Sequence, residues 1–257
     1  MKKLVLAASV ASMLSASVQA DTLLGLYIGG QVWNAAASGT FGENDGQGNI
    51  VLQDFTLDDQ QQTSFHVALE HPIPLVPNIK IASTTLDTDG SNIIGDGFSF
   101  GDIVFPAGVA ANTTFNMSYI DYTLYYEILD NDLITFDIGI TARDFDGDIN
   151  VSTIDVDPVF SENVDVAALV PMLYASVIVG LPFTGVNFFA EGNMVSYDGS
   201  GIYDYQVGVS YAVLDNLVVD LDVTLGYRSV KLDLDDLDGL YADLVFDGIY
   251  LGTTVHF

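Results

Sequence analysis

Alternation of apolar and polar residues at period two constrains this chain more than any other feature. Over residues 217–228, Leu217, Val219, Leu221, Val223, Leu225 and Tyr227 share one parity, while Asp220, Asp222, Thr224, Gly226 and Arg228 share the other. Val218 is the one apolar exception. Successive side chains of a strand point to opposite faces, so the segment predicts a strand with one apolar face. In a helix the two parities would mix around the circumference.

The pattern recurs. Ile134, Phe136, Ile138, Ile140 and Ala142 oppose Thr135, Asp137, Gly139, Thr141 and Arg143. Ile120, Tyr122, Leu124, Tyr126 and Ile128 oppose Tyr119, Asp121, Thr123, Tyr125 and Glu127. At the C-terminus Ile249, Leu251, Thr253, Val255 and Phe257 oppose Gly248, Tyr250, Gly252, Thr254 and His256. Ten strands are predicted, at 22–36, 63–71, 78–88, 115–128, 133–145, 166–181, 186–197, 202–213, 217–232 and 243–257. Tight connections at 71–77, 129–132, 182–185 and 214–216 alternate with longer ones at 37–62, 89–114, 146–165 and 233–242, plus a short turn at 198–201. Short turns on one rim and long loops on the other describe an outer-membrane barrel. The expected fold is therefore all-β: a transmembrane antiparallel up-and-down β-barrel of ten strands, with eight or twelve less favoured. An even count places both termini at one rim, expected to be the periplasmic one. Residues 166–190 carry no charge and could be taken for a membrane helix, but Pro171, Gly180, Pro182 and Gly185 interrupt them.

Charge then becomes informative. The formal net charge is -29, yet 49% of residues are hydrophobic. Acidic disordered chains are poor in apolar residues, whereas a barrel needs an apolar outer wall and can hold charge in its lumen and loops. Lys2 and Lys3, the apolar run 4–14 and Val18-Gln19-Ala20 predict a signal peptide over 1–20, cut after Ala20, leaving one barrel domain at 21–257. Beyond it the basic residues are Lys80, Arg143, Arg228 and Lys231, which excludes phosphate-driven binding of nucleic acid. The absence of Cys excludes disulfides.

The last strand ends in Phe257, with Val255 two residues before it and Gly252 five before it. This resembles the sorting signal read by the barrel-assembly machinery of Gram-negative bacteria. Residues 69–78 (LEHPIPLVPN), 121–132 (DYTLYYEILDND) and 29–33 (GGQVW) are similar to an uncharacterised family of small outer-membrane β-barrel proteins. That resemblance implies the fold and the location, with no attached activity.

The inward parity gathers Glu70, Asp121, Glu127, Asp137, Glu191, Asp204, Asp220 and Asp222 with Lys80, Arg143 and Arg228. Such groups must be paired or hydrated, so an internal network is expected, with Glu70 and Lys80 as one pair. The surplus of acids also suits a small cation-preferring channel. Asp144, Asp146, Asp148 and Asn150 offer oxygen ligands spaced somewhat like a calcium loop, and 233–239 is similar, though neither has the EF-hand order. A looser expectation has Ca²⁺ or Mg²⁺ bridging the acidic loops to anionic lipopolysaccharide. Of His66, His71 and His256, His66 is expected near the outer rim, where an omptin-type protease would carry its histidine. No Gly-x-Ser-x-Gly elbow or His-Glu-x-x-His helix is present. Outward Tyr122, Tyr126, Phe136, Tyr205, Tyr211, Tyr227 and Phe257 suit interfacial girdles. The expected role is non-enzymatic, structural or surface-interacting, in a monomer surrounded by outer-membrane lipid. No cofactor is expected beyond those ions.

Overall fold

The computed structural model describes residues 24–43, 50–131, 133–216, 219–237 and 240–257. The leader expected over 1–20 and its expected cut lie outside the described residues, as do Thr22, Asp132, Leu217, Val218, Asp238 and Gly239. The strands are β1 (Gly25–Glu43), β2 (Gln60–Glu70), β3 (Asn78–Thr84), β4 (Asp87–Ile93), β5 (Phe98–Phe100), β6 (Ile103–Phe105), β7 (Ala110–Asn116), β8 (Tyr119–Asp130), β9 (Ile134–Thr153), β10 (Ser161–Leu181), β11 (Val186–Tyr197), β12 (Ser200–Leu214), β13 (Asp220–Leu237) and β14 (Leu240–His256). Ten of them close a ring in the order β10-β11-β12-β13-β14-β1-β2-β3-β8-β9, with β9 returning to β10. Every pairing is antiparallel. The uncharged stretch after residue 166 is strand β10, a turn and β11. No helix among the described residues is long and apolar enough to cross a membrane.

Both ends of the described chain lie at one rim. The Leu26 and Phe257 backbones exchange hydrogen bonds at 3.2 and 3.0 Å, which seals the β1–β14 seam there. We refer to this rim as the terminal end and to the opposite one as the loop end. Gly248 makes the seam possible: a Cβ there would meet the Asn34 carbonyl oxygen at 1.9 Å.

Each predicted strand is present, but most run further toward the loop end than the alternation suggested. The reason is an inversion of polarity part-way up the wall. On β9, Phe136, Ile138 and Ile140 face outward while Asp137, Thr141 and Arg143 are buried inward. From Asp144 the parity persists and the chemistry swaps: Asp144 and Asp146 are exposed, and Phe145, Ile149 and Val151 are buried. On β14, Ile249 and Leu251 face out below Asp247 and Asp243, while Phe246, Leu244 and Ala242 are buried above Tyr250. β13 swaps between Arg228 and Val230, with Leu225 and Tyr227 outward below and Lys231 outward above. The half nearer the termini thus has an apolar outside and a polar inside. The loop-end half has the reverse, as a water-soluble barrel would.

Two long wall strands break where the swap occurs. β3 gives way to β4 at Thr85 and Leu86, and β7 to β8 at Met117 and Ser118, with the Met117 N–H donating to the Leu86 carbonyl at 2.9 Å. Above the break β4 and β7 pair with each other, and β7 continues along β9. The segment carrying Gln53, Phe55 and Leu57 closes the gap between β4 and β1 through bridges Leu57–Gly90 and Phe41–Gln53.

Candidate functional site

The lumen is built in layers. Nearest the terminal end, Glu70, Glu127 and Asp137 line a cavity of about 350 Å³ with Asp130, Thr135, Tyr125 and Tyr174. Glu127 and Asp137 are direct neighbours in the β8–β9 register. The Tyr125 hydroxyl donates to Glu70 Oε1 at 2.7 Å. Asp137 is buried, and its Oδ1 finds no hydrogen-bond partner among the described residues. Asp220 faces His256 Nδ1 at 3.5 Å, and Asp222 lines a second lumen cavity of about 250 Å³.

The next layer corrects one expected pair. Lys80 does not turn to Glu70, its near neighbour across the β2–β3 turn. Its Nζ reaches across the lumen to Glu191 Oε1 on β11, 2.5 Å away. Tyr125 already occupies Glu70, and the long Lys80 stem spans to an acid that lacks another cation.

Above it lies a cluster that the pattern placed inward without showing its pairing. Arg143 Nε and Nη2 meet Asp121 Oδ1 and Oδ2 at 2.8 and 2.7 Å, a bidentate pair. Arg143 Nη2 also reaches Asp204 Oδ2 at 2.7 Å, and Arg228 takes Asp204 through Nε and Nη2 at 3.0 and 2.8 Å. The Tyr119 hydroxyl donates to Asp204 Oδ2 at 2.8 Å, and the Arg143 guanidinium lies 3.7 Å from the Tyr119 ring centre. Two guanidinium and two carboxylate groups cancel in charge, which is how such a buried set avoids the cost of an isolated ion. Thr123, Thr141 and Asn193 extend the polar layer through bonds of 2.8 and 2.6 Å.

Immediately above, the lumen is filled with apolar side chains. Trp33, Phe41, Phe55, Phe98, Phe100, Phe105, Phe115 and Phe246 are all at most 2% exposed. The rings form a chain: Phe41–Phe55 at 5.1 Å, Phe55–Phe98 at 6.0 Å and Phe98–Phe105 at 5.3 Å, with Phe115–Phe246 at 5.7 Å beneath them. The hairpin β5–β6 supplies three of these phenylalanines to the loop-end mouth. The plug had no signal at period two, because 98–105 lies in a stretch expected to be a loop.

The other expected site residues fall as follows. Asp144, Asp146, Asp148 and Asn150 belong to strand β9, not to a loop. Side chains two apart on a strand are separated by about 6.6–6.8 Å and cannot converge on one ion as a calcium loop does. Among the described residues no group of three or more His, Asp or Glu is arranged to hold a metal ion. Residues 233–237 are likewise strand, and Asp233 binds Lys231 Nζ at 3.2 Å. His66 is not at the rim. It faces Gly29 on the terminal-end half of β2 and lines both lumen cavities beneath the plug. His71 Nε2 bonds the Pro77 carbonyl oxygen at 3.2 Å in the terminal-end turn. Gly252 faces the lumen, whereas Phe257 is exposed at the outer edge of the β1–β14 seam. Tyr122, Tyr126, Phe136, Tyr205, Tyr211 and Tyr227 are exposed on the outer wall, as expected.

At the loop-end mouth three carboxylates gather. Glu43 Oε2 accepts the Gly101 N–H at 2.8 Å, with Glu162 and Asp102 nearby. Burial raises the Glu43 pKa above its ordinary value. The Gly101 hydrogen bond opposes this, and the charges of Glu162 and Asp102 add to it.

No protein-family model matches the chain, and no curated protein does. Among solved structures it is similar to the outer membrane protease OmpT from Escherichia coli, with a TM-score of 0.52 at 11% identity, covering 95% of this chain and 100% of that one. The transport unit of the Escherichia coli autotransporter AIDA-I is similar at a TM-score of 0.38 and 8% identity, covering 97% and 96%. For the attachment invasion locus protein Ail of Yersinia pestis the values are 0.31 and 10%, covering 91% and 99%. The first of these likenesses supports the barrel fold, and at that identity it bears on nothing else.

Proposed function

We infer that this chain is an integral outer-membrane barrel that conducts no ions, catalyses no reaction, and works through the acidic loop-end half of its wall. The observation that carries this is the polarity inversion. Ile28, Val67, Ile81, Ile138, Leu225 and Leu251 form an exposed apolar belt suited to lipid, and the apolar plug sits beyond it. The polar lumen of the belt half is thus cut off from the loop end. In this reading the termini face the periplasm and the loop-end half stands outside the cell. Gly252, Val255 and Phe257 guide assembly by the barrel machinery. Deleting Phe257 should reduce the amount that reaches the outer membrane, measured by cell fractionation.

Asp144, Asp146 and Asp148 point outward just above the belt residues Ile140 and Ala142, at the level of lipid headgroups. Ca²⁺ or Mg²⁺ held between these acids and lipopolysaccharide phosphates would join two negative surfaces that otherwise repel. Titration calorimetry with Ca²⁺, in the presence and absence of lipopolysaccharide, should give heat only with both partners present.

The central test is conductance of the refolded protein in planar bilayers. A flat baseline is expected. Stepwise cation-selective currents would overturn the sealed lumen in favour of a channel fed by Glu70, Glu127 and Asp137.

A further inference from the structure

We propose that the loop-end half of β10 is a docking edge that receives an extended peptide with alternating apolar and basic residues. The proposal rests on the reading of the loop end as the working surface and names the partner that this surface fits.

The edge arises from a short hairpin. Tyr197 pairs directly with Ser200, so β11 and β12 are joined by the two residues Asp198 and Gly199, with φ of 51° and 90°. Positive φ at both positions is the tight turn that an Asp-Gly pair favours. β11 therefore ends low on the wall. Its pairing with β10 begins at Leu173–Met194, whereas β9 accompanies β10 all the way from Ser161. Among the described residues, 161–172 have a strand on one side only. On the opposite flank the corresponding gap is covered by the segment around Gln53 and Leu57.

The direction of the free backbone groups follows from the register. The Thr153 N–H donates to the Phe160 carbonyl at 2.8 Å, and the Gly180 N–H to the Leu133 carbonyl at 2.9 Å. Both bonds join β10 positions of even number to the β9 side, and antiparallel ladders alternate. Ser161, Asn163, Asp165, Ala167 and Leu169 consequently turn their backbone groups to the unpaired side. Pro171, which has no N–H to offer, falls in the same set, where proline is tolerated on an edge. The Asn163 N–H is met by its own neighbour, Glu162 Oε1, at 3.2 Å. The donors of Asp165, Ala167 and Leu169 and the adjoining carbonyls form a row to which a further strand can bond.

Side chains define the partner. Behind the edge, Val164, Val166, Ala168 and Val170 pack against the plug, as do Val195 on β11 and Leu234 on β13. An added strand would lay every second residue over this apolar floor. Its other residues would face water on the side of Asp165, Asp198, Asp233 and Asp235. Among the described residues all four cations are already held by carboxylates: Lys80 by Glu191, Arg143 by Asp121, Arg228 by Asp204, and Lys231 by Asp233 and Asp243. Apart from Lys231 beside Asp233, the described residues supply no countercharge to this flank, and lysine or arginine at the outward positions of the partner would provide it. A second copy is disfavoured, because edge-to-edge pairing would bring together two copies of the acidic flank around Asp165, Asp198 and Asp235.

The test uses the refolded full-length barrel and fluorescein-labelled peptides read by anisotropy. The probe alternates valine and lysine; one control has the same composition in blocks, and another alternates valine and glutamate. The alternating basic peptide should bind at least tenfold more tightly than either. Ala167→Pro removes a donor from the free side, leaves the β9 ladder intact and should weaken binding at least tenfold with unchanged thermal stability. Should that variant fail to fold, Asp165→Asn combined with Asp235→Asn should reduce both affinity and its salt dependence. Equal binding of the alternating and block peptides would overturn the proposal, as would wild-type binding by Ala167→Pro. A dimer detected by light scattering and abolished by Ala167→Pro would replace the peptide with a second copy. Because bilayer currents report the sealed lumen independently, failure of peptide binding with a flat baseline would sink this inference alone.

Discussion

Arg143 on β9 and Asp204 on β12 meet across the lumen at 2.7 Å, although β10 and β11 separate their strands in the wall. The same Asp204 oxygen also accepts Tyr119 and Arg228, so one carboxylate joins three positions around the ring. This cluster lies directly beneath the plug and ties non-adjacent strands together.

Asp204→Ala should therefore be among the most damaging single changes in the barrel. It leaves two buried guanidinium groups with one carboxylate between them. Removing one partner of a buried pair typically costs about 3–5 kcal/mol. Urea unfolding of the detergent-refolded protein, followed by tryptophan fluorescence, should show a loss of that size. Trp33 is a suitable reporter, since the Arg228 guanidinium lies 5.3 Å from its ring. A loss below 1 kcal/mol would mean that water replaces the carboxylate.

Lys80 and Glu191 should behave as a coupled pair. A double-mutant cycle with Lys80→Met and Glu191→Gln should return an interaction of about 0.5–3 kcal/mol. The corresponding cycle of Lys80→Met with Glu70→Gln should return a coupling near zero, because the two side chains make no ion pair.

That contrast shows what the sequence could and could not convey. Parity placed Lys80, Glu70 and Glu191 in the lumen, because inward and outward faces depend only on local alternation. Which acid Lys80 selects depends on the closure of the ring, and the partner lies 111 positions away. The loop-end wall was hidden for another reason. Asp144, Asp146 and Asp148 with Phe145, Gly147 and Ile149 keep the strand period, but the polar face is the outer one. Acids next to glycine also favour turns, so the run resembled a loop. The plug phenylalanines 98, 100 and 105 come from a hairpin inserted between wall strands, and no wall periodicity reaches them. The free edge of β10 was latent in Asp198-Gly199, since a two-residue turn sets how high the wall can rise.

Phe246→Ala should destabilise the loop-end half by about 3–5 kcal/mol, as expected for deleting a fully buried aromatic side chain. It should not open the lumen, because Phe41, Phe55, Phe98 and Phe100 remain above it. Paired measurements of urea stability and bilayer current test both halves of the statement.

Glu43 gives the loop end a pH dependence of defined sign. Its folded pKa lies above the ordinary glutamate value of 4.5, so the folded form holds its proton more tightly than the unfolded form. Its contribution to stability is thus unfavourable at neutral pH, diminishes as pH falls through the folded pKa and vanishes below about 4.5. Glu43→Gln should increase amide-exchange protection around Gly101 at pH 7.5 relative to the wild type. The difference should close by pH 4. An increase of the difference toward low pH would reverse the assigned sign.

The swap of polarity along the wall also sets a waterline. In a bilayer, sinking by one strand repeat of about 6.6–6.8 Å would drag Asp144 and Asp247 into hydrocarbon. Rising by the same amount would strip lipid from residues such as Val67 and Ile138. Neither displacement requires any contact inside the protein to break, yet β9, β13 and β14 oppose both at once. The barrel therefore holds its docking edge at a fixed height above the lipid surface, and a partner approaching along the membrane would meet that edge always at the same level.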